Sequence, residues 1–254
     1  TSGSTGQPKP IVLSQRSKVE RARAATRLYG VTAEDVVLAS TPLYHTLAQR
    51  LVFMPLLIGA RSVVMPRFSI SDWMETVAAE KVSFTIAVST QLGRIAARLA
   101  QGDGAGERHE CGSLRCIVSS SAPLSDPDKA LVLKTFRAAF HECYGASEIA
   151  IATSIEISTG AMPSGAVGRP APGVEIRILG DDGQVLPDGQ IGEIACRTPM
   201  RFEGYQNRPD LTEAAMRDGF FLTGDAGWLD ESGALYFKGR IKEVITSGGM
   251  NIFP

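Results

Sequence analysis

The sequence predicts an α/β fold in which helices cover a mostly parallel sheet, followed by a smaller antiparallel, β-barrel-like part. Strand-like and helix-like segments alternate through the first two thirds of the chain, which is typical of a parallel sheet covered by helices. From about Gly165 onward the segments are short, β-branched and separated by turn signals such as Asp182-Gly183, which indicates antiparallel hairpins.

The elements of the alternating part begin with a helix over 16–29 that Gly30 ends. The segments predicted after it are a strand at 36–40, an apolar stretch at 51–58 that ends at Gly59, a strand at 61–65, a helix that Ser71 caps and that runs to 81, a strand at 84–88, a helix at 91–101, a strand at 115–119 and a helix at 126–140. The later strands are predicted at 174–179, 194–197 and 235–238.

Composition limits the classes of function. The chain has 254 residues, of which 44% are hydrophobic, and a net charge of −1. This near-zero charge argues against broad binding to nucleic acid or to a membrane surface. The sequence contains no apolar run of about 18 residues, so no membrane span is predicted. The four cysteines lack the spacing of a zinc site. We therefore expect a cytoplasmic protein with reduced cysteines in its core.

The opening loop has the composition of an anion site. Glycines let backbone N–H groups approach an anion, hydroxyls add donors, and a lysine supplies a point charge suited to phosphate. The spacing does not fit the GxxxxGK[ST] phosphate loop, and on composition a flexible Ser/Gly linker is the alternative. The residues of interest are Thr1, Ser2, Gly3, Ser4, Thr5, Gly6 and Lys9.

Five further strings follow this loop in order. They are Pro42-Leu43-Tyr44-His45, Ser119-Ser120-Ser121-Ala122-Pro123-Leu124, Tyr144-Gly145-Ala146-Ser147-Glu148, Leu222-Thr223-Gly224-Asp225 and Gly239-Arg240-Ile241-Lys242-Glu243. Together with the opening TSGSTGQPK, these strings resemble the ordered motifs of the adenylate-forming superfamily. That group comprises acyl-CoA synthetases, luciferases and peptide-synthetase adenylation domains, and the resemblance, closest to acyl-CoA ligases, spans essentially the whole chain.

The resemblance implies a site for ATP and Mg²⁺. It implies that the opening loop holds the β- and γ-phosphates, with Thr5 and Lys9 in catalytic roles. Glu148 is the implied metal ligand and a catalytic residue, since Mg²⁺ favours one or two carboxylates beside phosphates. Asp225 is implied to bind the ribose hydroxyls and Arg240 the ribose or phosphate; a simple turn is the alternative for Asp225. The other implied nucleotide contacts are Ser121, Ala122, Pro123, Tyr144, Gly145, Ala146 and Ser147.

The acyl side of the implied site is less defined. His45 lies where the family has a histidine near the acyl carboxylate and is a catalytic candidate, with a structural histidine as the alternative. Serines replace two family glycines at Ser120 and Ser121, which leaves the acyl contacts there open. The run Tyr44-His45-Thr46-Leu47-Ala48-Gln49 contains no carboxylate to pair with an ammonium group, and an unpaired buried ammonium is costly. A fatty or aryl acid is therefore favoured over an amino acid.

The implied organisation is an α/β part of a large AMP-binding domain at 1–164, a β-rich subdomain of the same domain at 165–238, and a hinge with the beginning of a C-terminal domain at 239–254. Lys242 is the implied hinge pivot. Because the chain starts inside a motif and stops at Pro254, we expect an internal fragment.

The implied function is an AMP-forming acid–thiol ligase of fatty acid metabolism, in which a carboxylate attacks ATP, pyrophosphate leaves, and CoA captures the acyl group. The alternatives are an enzyme that loads a carrier protein, a luciferase-like oxidase and a non-catalytic scaffold of the same fold. The implied partners are a small carboxylic acid, ATP and CoA, and a homodimer is left open.

We predict that these 254 residues alone are nearly inactive in adenylate formation. The reason is that the family's catalytic lysine lies in the small C-terminal domain. The measurement is pyrophosphate release from the purified chain with ATP and a panel of acids, and robust release would contradict the prediction.

Overall fold

The computed structural model describes residues 9–100, 111–136, 138–157, 165–243, 245–247 and 250–252. In chain order the elements are β1 (Ile11–Val12), α1 (Gln15–Leu28), β2 (Val36–Ala39), α2 (Thr46–Ile58), β3 (Arg61–Val64), α3 (Ile70–Glu80), β4 (Phe84–Val88), α4 (Ser89–Ala100), β5 (Cys116–Ser120), α5 (Asp126–Phe136), β6 (Ala139–Ala146), β7 (Ala150–Glu156), β8 (Ala166–Pro170), β9 (Glu175–Leu179), β10 (Gly192–Arg197), β11 (Gly204–Tyr205), α6 (Pro209–Ala214), β12 (Met216–Arg217), β13 (Phe220–Leu229), β14 (Leu235–Arg240), a 3-10 helix (Ile241–Glu243), β15 (Ile245–Ser247) and β16 (Met250–Ile252). None of the described helices is long and apolar enough to cross a bilayer.

These elements belong to two compact units. The parallel-sheet unit comprises Lys18–Tyr144 and Glu156–Ala161, and the antiparallel-sheet unit comprises Thr1–Ser17, Gly145–Ile155 and Met162–Pro254. Residues before 165 join the second unit because β7 pairs with β8. The division at 164 and 238 stays a prediction.

The parallel-sheet unit confirms the fold that the alternation predicts. Its strands follow the order β3-β2-β4-β5-β6, and every neighbouring pair is parallel. Helices α2 and α4 pack on β2 and β4. Strands inside a parallel sheet are covered on both faces and are rich in apolar side chains, and in β2, β4 and β5 Leu38, Phe84, Ile86 and Ile117 are fully buried.

Two predicted boundaries in this unit were wrong. The cap of α3 is Ser69 rather than Ser71, since the Ser69 side chain accepts a hydrogen bond from the Asp72 N–H at 3.1 Å. The helix predicted to run to Phe140 ends at Phe136, and Phe140 instead pairs with Ile117 of β5. A short apolar run reads alike as a buried helix or a buried strand, so periodicity alone could not separate them.

The antiparallel-sheet unit confirms the change of pattern after residue 165. Its strands follow the order β7-β8-β14-β13-β10-β9, with β12 also paired to β13. A second, two-stranded pairing joins β1 to β11. This pairing positions Ile11 and Val12, just after the opening loop, beside Gly204 and Tyr205.

A buried carboxylate joins the amino ends of three parallel strands. Asp35 precedes β2 and accepts hydrogen bonds from the Ser83 hydroxyl before β4 at 2.6 Å and from Arg115 Nε before β5 at 2.7 Å. Arg115 also donates to the carbonyl oxygens of Tyr29 and Gly30. Burial alone would raise the pKa of Asp35, but Arg115, Ser83 and the Thr32 N–H lower it to about 2.

We predict that Asp35→Asn lowers the free energy of unfolding by about 2 kcal/mol at pH 7, because Arg115 loses its charged partner. The folded-state pKa of about 2 lies below the ordinary value of 3.8, so the Asp35 contribution is present above pH 4 and is lost as the pH falls toward 2. Denaturant unfolding at pH 7, 4, 3 and 2 should show the two proteins converging at the acid end.

The matched control is Glu20→Gln, which removes the exposed ion pair with Arg23 and should change stability by less than about 0.5 kcal/mol. A difference for Asp35→Asn that stays constant from pH 7 to pH 2 would contradict the assignment.

Candidate active site

The opening loop is represented in the structure by its last predicted residue. Thr1, Ser2, Gly3, Ser4, Thr5 and Gly6 lie outside the described residues, so their phosphate contacts stay predictions. Lys9 is positioned by the short β1–β11 pairing, because the Gln206 N–H donates to the Pro10 carbonyl oxygen at 2.9 Å. Lys9 Nζ lies 5.6 Å from the centroid of the Tyr205 ring.

A tight turn between β6 and β7 carries Ser147 and Glu148. The turn needs a glycine at its start, since a Cβ on Gly145 would lie 1.8 Å from the Ala150 carbonyl oxygen. Ala150, at the end of the turn, has a φ of 64°, a conformation that residues with a side chain rarely adopt. The backbone therefore bends sharply here and turns Glu148 inward, where it is buried.

Tyr205 holds the Glu148 carboxylate, a role that sequence reasoning missed. Its hydroxyl donates to Glu148 Oε1 at 3.0 Å, and the Phe202 N–H donates to the Glu148 carbonyl oxygen. Burial raises the pKa of Tyr205, and the Glu148 charge and hydrogen bond raise it further, whereas Arg240 lowers it. Tyr205 therefore stays protonated and remains a donor at neutral pH. The available signal was the Gly204-Tyr205 dipeptide, which fits a structural turn equally well.

Asp225 and Arg240 form an ion pair across two strands. They are register partners in β13 and β14, and Arg240 Nε lies 2.8 Å from Asp225 Oδ1. The Asp225 side chain is 6% exposed and the Arg240 side chain 57%. The predicted ribose and phosphate contacts of this pair stay predictions. Lys242 is exposed in the 3-10 helix, and its hinge role also stays a prediction.

Four of the predicted nucleotide contacts lie at the carboxyl ends of β5 and β6, in the parallel-sheet unit. Ser121, Ala122 and Pro123 are exposed just after β5, and Tyr144 is half-buried near the end of β6. Ser121 has a φ of 82°, a conformation that favours glycine. This explains why the family motif has glycine there and shows that the serine keeps the glycine-type backbone.

His45 marks the beginning of α2. It is exposed, its side chain makes no capping hydrogen bond, and the centroid of its ring lies 4.5 Å from that of Tyr44.

Five residues after His45, helix α2 carries Arg50, which is buried. Sequence reasoning noted only the apolar stretch at 51–58 that follows and missed Arg50. The signal was a single arginine directly before the apolar run.

The antiparallel-sheet unit thus contains the Glu148 carboxylate held by Tyr205, the Lys9 ammonium group, and the Asp225–Arg240 ion pair. Within the described ranges, no group of three or more His, Cys, Asp or Glu side chains lies close enough to hold a metal ion by itself. Glu148 with phosphate oxygens fits Mg²⁺, which is commonly held by one or two carboxylates together with phosphates. Lys9 and Arg240 are suited to phosphate and ribose oxygens.

The profile of the family described as "AMP-binding enzyme" matches residues 1–206. The chain belongs to the AMP-binding enzyme family. The predicted membership of the adenylate-forming superfamily is therefore confirmed. Curated relatives of this AMP-binding chain include a sulfoacetate–CoA ligase from Cupriavidus necator at 35% identity and an indoleacetate–CoA ligase from Aromatoleum aromaticum at 33%. Each alignment covers 100% of this chain and 49% of the relative.

Solved structures of AMP-binding enzymes share the fold. ATP-bound MatB from Rhodopseudomonas palustris superposes with a TM-score of 0.86 at 30% identity, covering 100% of this chain and 50% of that one. O-succinylbenzoate coenzyme A synthetase from Bacillus subtilis, in complex with ATP and magnesium ion, gives a TM-score of 0.88 at 30% identity and covers 100% and 52%. The chain thus spans about half the length of the proteins it matches.

We predict that Tyr205→Phe lowers the free energy of unfolding of the complete gene product by about 1 kcal/mol, because buried Glu148 loses a hydrogen-bond donor. The measurement is denaturant unfolding at pH 7. The matched control is Tyr236→Phe. In the wild-type protein the Tyr236 hydroxyl donates to the Asp230 carboxylate at 3.1 Å. An equal effect of the two substitutions would contradict a special role for the Tyr205 hydroxyl.

Proposed function

We propose that the protein containing this chain activates a carboxylic acid with ATP and transfers the acyl group to CoA. The observation that carries the proposal is the buried Glu148 carboxylate held by Tyr205, in the same unit as Lys9 and the Asp225–Arg240 pair. Family membership and relatives named CoA ligases support it.

The chemistry needs charge neutralisation around a triphosphate. In the first step a substrate carboxylate oxygen bonds to the α-phosphorus of ATP, and the bond to pyrophosphate breaks. In the second step the CoA sulfur bonds to the acyl carbon, AMP leaves, and the thiol proton is released. Mg²⁺, when bound, screens phosphate charge. Glu148 is the proposed metal ligand, Lys9 with the opening loop positions the phosphates, and Asp225 positions the ribose.

The acyl substrate is proposed to be an acid without an ammonium group. No carboxylate lies between Tyr44 and Gln49 to neutralise one, as an amino acid would require. The names of the relatives include an aryl acid, indoleacetate, and two acids with a second acidic group, sulfoacetate and 2-succinylbenzoate. An aryl acid is thus favoured over a fatty acid.

The test is a screen of the complete gene product for pyrophosphate release with fatty, aryl and amino acids, with and without CoA. We expect release with acids that lack an ammonium group and formation of the CoA thioester. Release only with amino acids would overturn the acyl assignment. Release without thioester formation would favour transfer to a carrier protein, and no release with any acid would favour a non-catalytic scaffold.

We predict that Glu148→Gln lowers kcat/KM for Mg-ATP by about 100-fold or more, because an amide is a weaker ligand for a hard cation than a carboxylate. The Tyr205 hydrogen bond to an oxygen of the side chain can be kept, so stability should change little. Glu203→Gln, on an exposed side chain of the same unit, is the matched control. Wild-type kinetics in Glu148→Gln would remove Glu148 from the metal role.

A further inference from the structure

Arg50 is a buried cation without a described counter-ion. The residue is 7% exposed, and its Nε makes no hydrogen bond with any described residue. No described carboxylate lies within ion-pair distance of its guanidinium. Burying an unpaired charge costs several kcal/mol, and an arginine cannot escape the cost by losing its proton. Such a residue therefore calls for an anionic partner.

The side chains close to Arg50 do not supply that partner. Its electrostatic neighbours are the Cys143 thiol and the Tyr29 hydroxyl. Burial raises the pKa of Cys143, although Ser120, Arg50 and Tyr29 act in the opposite direction, so the thiol is neutral at pH 7. These two neighbours of the guanidinium are thus polar but uncharged.

Two acidic side chains among the described residues of the parallel-sheet unit, the partly buried Glu142 and the buried Asp35, are already paired with other cations. Glu142, the neighbour of Cys143 in β6, lies 2.8 Å from Lys129 Nζ and accepts a hydrogen bond from the Leu124 N–H. Asp35 is paired with Arg115 at the opposite, amino end of the strands. Neither carboxylate is therefore left over for Arg50.

Arg50 lies near the edge of the sheet where ligands bind in α/β folds. Its neighbour Cys143 is near the carboxyl end of β6, next to Ser120 at the carboxyl end of β5. Two more buried polar atoms at this edge, Thr41 Oγ1 after β2 and Ser119 Oγ in β5, have no hydrogen-bond partner among the described residues. Ligands of open parallel sheets bind outside the carboxyl ends of the strands.

We propose that Arg50 binds a second anionic group on the acyl substrate, so that the substrate class is a carboxylic acid bearing a further carboxylate or sulfonate. His45 begins the same helix, and the reacting carboxylate is expected near it. Arg50, five residues further along, then contacts the distal anion. The inference rests on the proposed acid activation and narrows it.

The experiment compares matched pairs of acids in the complete gene product. One pair is sulfoacetate and its uncharged analogue methylsulfonylacetate, and the other is 2-succinylbenzoate and 3-benzoylpropionate, which lacks the ring carboxylate. We expect wild-type kcat/KM for pyrophosphate release to favour the doubly anionic member of at least one pair by about 10- to 100-fold, the usual effect of a hydrogen bond to a charged group. Arg50→Met should abolish the preference, and Arg50→Lys should retain part of it.

Measurements of thermal stability distinguish an anion-binding role of Arg50 from a structural role. A methionine of similar volume removes the uncompensated buried charge, so Arg50→Met should melt at the wild-type temperature or higher. Arg23→Met, on an exposed arginine of α1, is the matched control and should leave the preference unchanged. If Arg50→Met fails to fold, the Arg50→Lys variant and the wild-type preference still decide.

A direct binding measurement distinguishes failure of the Arg50 anion site from failure of the proposed acid activation. Calorimetry measures the affinity of the protein for a doubly anionic acid. If Arg50→Met lowers that affinity at least 10-fold, the anion site is supported even if no acid yields pyrophosphate. A wild-type protein that neither binds nor turns over the charged member better in either pair would overturn the inference. An equal loss for charged and uncharged acids in Arg50→Met would overturn it as well.

Discussion

The parallel-sheet unit depends on the ion pair between Asp35 and Arg115. With the Ser83 hydroxyl, this pair joins the amino ends of β2, β4 and β5 at donor–acceptor distances of 2.6–2.7 Å. Because the three strands are parallel, fixing their amino ends also sets their register at the carboxyl ends. That opposite edge holds Ser119 and Ser120 of β5, so their alignment follows from contacts made a full strand length away.

The antiparallel-sheet unit solves a different problem, which is to hold a carboxylate in a fixed orientation before any ligand arrives. Glu148 takes its direction from a sharp turn and its hydrogen bond from Tyr205, which the β1–β11 pairing places beside Lys9. Side chains fixed in advance stabilise developing charge without reorganising during the reaction. The short two-stranded pairing therefore matters more to the proposed chemistry than its size suggests.

The sequence was sufficient for features encoded locally and insufficient for those that depend on distant contacts. Turn signals and alternating segments predicted both sheets, and ordered motifs predicted Glu148, Asp225 and Arg240 as candidates. The Tyr205–Glu148 hydrogen bond joins residues 57 positions apart, so the Gly204-Tyr205 dipeptide by itself did not reveal it. Arg50 was missed for a related reason, since an arginine at the border of an apolar run shows its burial only once the helix is packed.

Gly145 affects how mutational scans of this family are to be interpreted. Its position beside the Ala150 carbonyl oxygen leaves no space for even a methyl group, so every substitution there must displace the backbone that carries Ser147 and Glu148. Loss of activity in such a variant would therefore report on the turn rather than on contact with a nucleotide. Sensitivity to substitution and proximity to ligand are separate properties at this position, and only substitutions at neighbours with room for a side chain can distinguish them.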